Sequence, residues 1–294
     1  MRKGKNIRKI TLPTNIKLKY TKTKKFNKLT KTNINYRHIV DLNLIKKDKD
    51  LDLWISEQRI GIVFHMYYAD VLDEIISNLK SFNFNFDLWI VYPKSSKFER
   101  VLVKCKEKLK SFNPQYITCK NAGKDIGGKL TVLNHFIKEN INYDYVLFAH
   151  DKKSPHTKNG EEWRRSLYSG IFNGANLIFN GFRSHKNIKM CGPTVRQGVC
   201  MSRDIAVNLK NYPLMKEILS LYFSRNIPHN SAFVAGTMFW VEWNFFKDIF
   251  SKINIETLIS RLEHGDVREP SYAHAMERVF GLLVTMNNFK IGKI

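Results

Sequence analysis

The stretch from Tyr143 to Ser154 constrains the fold of this chain more than any other. A short apolar run through Tyr145, Val146, Leu147, Phe148 and Ala149 ends abruptly in His150-Asp151-Lys152-Lys153-Ser154. A continuous apolar run of this length suits a strand buried on both faces, as in a parallel sheet. Ligands of open α/β sheets bind just beyond the carboxyl ends of such strands. The polar cluster therefore falls where chemistry is expected. It offers one carboxylate able to hold a metal and two ammonium groups able to hold phosphate.

The preceding sequence repeats the same grammar. Residues from Arg59 to His65 read as a first strand. Val71, Leu72, Ile75, Ile76 and Leu79 then fall on one face of a helix, with Asp70, Asp73 and Glu74 in its first turn. Residues 86–92 read as a second strand, about 97–111 as a helix with Phe98, Val101, Leu102, Cys105 and Leu109 inward, and 115–119 as a third strand. A loop over 120–128 leads to a helix ending near 139, and 144–149 is the fourth strand. Four strand–helix units in succession predict a doubly wound, mainly parallel α/β sheet flanked by helices. Beyond residue 160 the expectation is a helix to about 179, a strand at 187–191, a helix at 214–223, a strand at 232–240 and two or three closing helices. No linker interrupts the chain after residue 58, so 58–294 is expected to form one domain behind an N-terminal extension, 1–57.

The net charge of +23 is unevenly spread. Residues 1–50 hold 16 Lys and Arg against 3 Asp, whereas the remaining 244 residues carry a net +10. A basic arm with few large apolar residues reads as a flexible tail. Three fates stay open for it: solvation, attraction to an anionic membrane surface, or nucleic-acid binding. The last is disfavoured, since neither zinc-finger spacing nor an RNP-like aromatic motif is present. The arm lacks the apolar core of a signal peptide, and no apolar stretch is long enough to span a bilayer. Cys105, Cys119, Cys191 and Cys200 are scattered, which suits reduced thiols and a cytoplasmic chain, peripheral to a membrane at most.

Three loops should gather at the carboxyl edge. One follows His65 and holds Met66, Tyr67 and Tyr68, either a stacking platform or a closure of the core. The second, Lys120 to Lys129, contains Asn121, Gly123, Asp125, Gly127 and Gly128; exposed amides in such a turn favour anions. It is neither G-x-G-x-x-G nor a Walker A motif. Asp125 either accepts from a sugar hydroxyl or caps a helix. The third is the His150–Ser154 cluster. Asp151 supplies one hard oxygen for Mg²⁺ or Mn²⁺, while Lys152 and Lys153 either neutralise a diphosphate directly or form a solvated turn. Trp163, Arg164 and Arg165 follow closely. Nearer the C-terminus, Ala235–Trp240 is apolar around Gly236, which suggests a strand packed on a ligand or another backbone. His274, Glu277 and Arg278 share one helix face, as a structural ion pair or with Glu277 as a general base.

These blocks, in this order, resemble the rhamnan synthesis protein F family. They are His65-Met-Tyr-Tyr68 with its following helix, Asn121-Ala-Gly-Lys-Asp-Ile-Gly-Gly128, His150-Asp-Lys-Lys-Ser154 with Trp163-Arg164, Gly236-Thr-Met-Phe-Trp240, and His274-Ala-Met-Glu-Arg-Val-Phe-Gly281. The resemblance covers about residues 58–290 and implies a GT-A-like glycosyltransferase of surface polysaccharide synthesis. It implies a nucleotide-diphosphate sugar as donor, with rhamnose the sugar the family suggests, and a glycan or lipid-linked glycan as acceptor. Carried over, His65, Asn121, Gly123, Asp125, His150, Lys152, Lys153 and Arg164 would bind the donor, and Asp151, Glu277 and His274 would line the catalytic cleft. Asp151 stands where the family pattern has Thr, and where GT-A enzymes carry Asp-x-Asp for a metal. That leaves Mg²⁺ or Mn²⁺ dependence open, with the two lysines able to replace the cation. The basic arm lies outside the pattern. A second reading, from the charge alone, is a non-catalytic binding protein for nucleic acid or anionic glycan on a degenerate α/β domain. A nucleotidyltransferase is weaker, since paired carboxylates for two metals are not evident.

Overall fold

The computed structural model describes residues 37–68, 70–94, 96–151, 160–197, 205–227, 231–265 and 267–294. Its centre is an eight-stranded sheet. The strands are β1 (Ile39–Asp41), β2 (Ile60–His65), β3 (Asp87–Pro93), β4 (Gln115–Cys119), β5 (Tyr145–His150), β6 (Ile188–Gly192), β9 (Phe239–Glu242) and β10 (Lys290–Lys293), in the order β1-β10-β6-β9-β5-β2-β3-β4. Only β9 runs antiparallel to its neighbours β5 and β6. A separate two-stranded ladder pairs β7 (Val195–Gln197) with β8 (Ala232–Val234). The α/β class and the mainly parallel sheet are as the sequence predicts.

Side chains alternate between two cores, one on each face. Val63, Val91, Val146, Phe148 and Val241 enter the first, with residues of α4 (Lys124–Lys138), α7 (Ile205–Phe223), α8 (Trp243–Phe250), α9 (Ile255–Ser260) and α10 (Tyr272–Met286). Ile62, Phe64, Ile90, Leu147 and Trp240 enter the second, with α1 (Leu51–Ser56), α2 (Leu72–Lys80), α3 (Ser96–Lys108), α5 (Gly160–Tyr168) and α6 (Ala175–Ser184). Both faces of the central strands are thus covered, which is why β2 and β5 are apolar up to their terminal histidines. Helix α2 shows the local logic: Leu72, Ile75 and Leu79 are buried, each contributing about 1.5–3 kcal/mol.

The connectivity creates a switch point. The chain leaves β2 by α2, on one face, and moves outward to β3 and β4. It returns by α4, on the other face, to place β5 on the opposite side of β2. Ligand crevices in open α/β sheets form where the winding reverses in this way. Here that point lies between the carboxyl ends of β2 and β5.

Several expectations need correction. Residues 39–56, expected within the extension, fold into the body: β1 pairs with β10, and Leu42, Leu51 and Ile55 are buried in the second core. Their apolar pattern is short and sits among lysines, which masked it. The Gly-rich stretch is not a loop up to 128, because α4 already starts at Lys124. The long helix expected from 161 is broken by a π-turn at Ser169–Asn173, and 205–223 is one helix despite Pro213. The strand expected at 232–240 is split by a turn in which Gly236 and Thr237 both have positive φ, 86° and 52°. Among the described residues no helix is long and apolar enough to cross a membrane.

Candidate functional site

The ends of β2 and β5 are in register, with His65 opposite His150. Both imidazoles are buried and lie on the α4 side of the sheet. Close approach of α4 depends on two consecutive glycines. A Cβ on Gly128 would stand 2.3 Å from Cδ2 of His65, and one on Gly127 would stand 2.0 Å from the Ala122 carbonyl oxygen. The Gly-Gly pair therefore lets the first turns of α4 press onto the sheet edge.

That approach delivers Asp125 and Lys129, one helical turn apart. Lys129 is 1% exposed. Its Nζ donates to Asp125 Oδ2 at 2.6 Å and lies 3.5 Å from His150 Nδ1. Thr237, in the turn ahead of β9, donates its hydroxyl to the same Oδ2 at 2.5 Å, and His150 Nδ1 lies 3.5 Å from it. Burial opposes ionisation of Asp125. The His150 imidazole, the Lys129 ammonium and the Thr237 hydroxyl outweigh that penalty and hold the carboxyl well below the usual range. Its side chain stays 17% exposed, and Oδ1 accepts from no described residue. Asp125 is thus an ionised, aimed acceptor. His65 next to it is held neutral: burial pushes its pKa down to about 4, further than the Asp125 charge raises it.

The Gly236–Thr237 turn links this cluster to α10. Glu277 Oε1 accepts from the Gly236 amide at 2.7 Å, and Oε2 lies 3.7 Å from Arg278 Nη1. Arg278 is committed elsewhere, to Glu269 at 3.0 Å and the His274 carbonyl at 2.6 Å. His274 faces Ser271 Oγ across 2.6 Å. Burial lowers its pKa, aided by the nearby charges of Lys124 and Arg278 and opposed by Glu269 and Glu277. Gly123 donates to the Glu263 carbonyl at 2.8 Å, and Asn121 is exposed beside His264, its carbonyl 3.3 Å from Nδ1. Asp125, His65, His150, Glu277 and His274 therefore lie toward one edge of the sheet.

Two predicted residues do something different. Asp151 is 3% exposed. Its Oδ2 accepts from the Tyr67 amide at 2.5 Å and from the Tyr68 amide, so it fastens the turn after β2. Burial raises its pKa well above the usual carboxylate range, against the pull of those amides. A buried carboxyl so occupied fits neither a metal ligand nor a base acting through that oxygen. Among the described residues no three His, Cys, Asp or Glu side chains are grouped to hold a metal ion. Arg164 pairs with Glu74 of α2 at 3.0 Å through Nη2, a bond between two helices on the far face. Lys152 and Lys153 lie outside the described residues.

Lys129 and Thr237 are the members that sequence reasoning missed. The signal for Lys129 was available, because Asp125 and Lys129 are at i and i+4 once the helix is started at Lys124. Thr237 had none, as only the folded turn brings it to α4.

The family model described as "Rhamnan synthesis protein F" matches residues 14–289. The chain belongs to the rhamnan synthesis protein F family. The match begins inside the basic arm, so most of that arm lies within the family pattern rather than outside it. Two relatives from Xanthomonas campestris pv. campestris, strains B100 and ATCC 33913, are each described as "Uncharacterized protein WxcX". Each is 24% identical over 245 residues, 82% of this chain but 34% of its own length. This member of the rhamnan synthesis protein F family thus spans about a third of those relatives.

Proposed function

We propose that this chain is a glycosyltransferase that moves a sugar from a nucleotide-diphosphate sugar to a glycan or lipid-linked glycan hydroxyl. Membership of a family named for rhamnan synthesis gives the chain a role in polysaccharide synthesis; the transfer reaction is our reading of the site. The observation that carries it is Asp125, a carboxylate kept ionised at a switch point by Lys129, His150 and Thr237, with Oδ1 left to accept from a hydroxyl. A polyhydroxylated ligand is what such an acceptor suits. Of the two carboxylates considered as bases, Glu277 is the better placed. It lies at the same edge, while Asp151 is buried against the Tyr67 and Tyr68 amides.

In this reading the donor lies across the ends of β2 and β5, with a ring hydroxyl on Asp125. The acceptor oxygen attacks the anomeric carbon as the bond to the diphosphate breaks. Glu277 takes the proton from the acceptor hydroxyl, and Lys152 and Lys153 neutralise the charge on the departing diphosphate. Rhamnose is the donor sugar to try first.

The test is a thermal-shift screen of nucleotide sugars, with and without Mn²⁺, followed by assay of nucleoside diphosphate release. A true donor at 100 times its Kd adds about 2.7 kcal/mol of stability. Exchanging Asp125 for Asn, or Lys152 and Lys153 together for Ala, should cut turnover about a hundredfold or more. No response to any donor would refute the enzyme reading, and unchanged turnover in the double-lysine variant would remove those lysines from it.

A further inference from the structure

At the opposite, amino edge of the sheet a concavity of about 490 Å³ opens beside β3 and β4. Trp89 and Gln115 are paired across these strands, and Asp87 lies two residues before Trp89, so the three side chains share one face. Tyr143 closes the back. Its hydroxyl accepts from Trp89 Nε1 at 2.7 Å and donates to Asp87 Oδ2 at 3.0 Å, which fixes ring and carboxylate together. The Arg59 guanidinium lies 6.0 Å above the Tyr143 ring, and half-buried Phe112 adds an apolar wall.

The polar groups here are planar and only partly committed. Among the described residues, the Arg59 guanidinium and the Gln115 amide make no hydrogen bond, and Asp87 uses one oxygen. Apolar ring surfaces beside a few oriented polar groups are the usual lining of a small-molecule site. Aromatic faces suit the C–H faces of a sugar ring, and planar carboxylate, amide and guanidinium groups suit its paired hydroxyls. One Asp and one Arg leave the groove near neutral on a chain of net charge +23. That balance favours an uncharged ligand over a polyanion.

We propose that this groove is a second, non-catalytic saccharide site that holds a neutral glycan away from the carboxyl edge. Arg59 immediately precedes β2 and His65 ends it, so the two sites are roughly 20 Å apart at about 3.3 Å per residue. The groove would retain a polymer while its end is elsewhere. It stands on its own residues and does not depend on transfer at Asp125.

Calorimetric titration of the full chain with a neutral rhamnose oligosaccharide tests the proposal. Wild type should bind. The double change Arg59→Ala and Gln115→Ala should weaken binding at least about tenfold, a loss of about 1.4 kcal/mol, while Asp125→Asn binds as wild type does. Both groove residues are exposed, so melting curves should be unchanged; Gln115→Arg, which fills the groove, is the second variant and should weaken binding at least as much. No binding by wild type overturns the site. So does binding that survives both groove variants, or binding lost with Asp125→Asn and kept in them.

Discussion

Asp125 and Asp151 sit at the same sheet edge, yet their surroundings shift their carboxyl groups in opposite directions, one toward the charged form and the other toward the neutral form. Asp125 lies on the α4 face among an ammonium, an imidazole and a hydroxyl. Asp151 directly follows β5, with backbone amides on one oxygen and no cation among its described contacts. Desolvation disfavours the charged form of each. Only side-chain charge close by reverses that penalty. Burial of a carboxylate therefore says little about its role. What surrounds it decides whether it acts as a charge or as a brace.

The largest way to break this contrast is to remove the cation. Lys129→Met leaves Asp125 charged and short of its ammonium partner, while the methionine fills most of the volume. Breaking one half of a buried pair costs about 3 kcal/mol or more, equivalent to a fall in Tm of roughly 6–12 °C for a body of this size. A melting curve identical to wild type would show that Lys129 does not hold Asp125 in solution.

Replacing each aspartate by asparagine sharpens the contrast through pH. The folded-state pKa of Asp125 is depressed below its unfolded value of about 3.9. Its stabilisation is present above pH ~4 and is lost as pH falls through the folded value. Asp125→Asn should therefore destabilise at pH 7, by about 1.5–3 kcal/mol for hydrogen bonds to a charged group, and the gap should close in acid. The folded-state pKa of Asp151 is raised. The stability of its neutral form is complete below pH ~4 and is lost as pH rises through the folded value. Asp151→Asn keeps an acceptor for the two amides and does not ionise. It should match wild type near pH 4 and become the more stable protein as pH rises. Urea unfolding from pH 2 to 8 measures both. Parallel curves for the two variants would contradict the assignment.

The same contrast explains what could be read from the chain. The central strands were legible because burial on both faces makes β2 and β5 unbroken apolar runs. Their ends were legible because polar residues follow them at once. What was hidden depended on close packing. Gly127 and Gly128 read as a flexible loop, but they are the flat side of a helix, and moving its start to Lys124 converts Asp125 from a loop residue into the partner of Lys129. Thr237 joins the cluster only through a turn that interrupts what reads as one apolar strand. The resemblance places Arg164 among the donor-binding residues, close behind a basic cluster. Its partner, Glu74, is 90 residues away in sequence and could not be seen from local charge.

Arg164 also supplies the smallest test. Its guanidinium bonds Glu74 through Nε at 3.1 Å and Nη2 at 3.0 Å, tying α5 to α2 on the face away from Asp125. Glu74 is still 30% exposed at its side chain, so water screens part of the interaction, and the acid left behind can be solvated. Arg164→Ala should then cost only about 1 kcal/mol, near the upper end for a partly exposed pair. If the residue braces helices, Arg164→Lys recovers part of that loss, and the KM for a nucleotide sugar stays within about twofold of wild type in both variants. A large rise in KM with an unchanged melting curve would return Arg164 to the donor site.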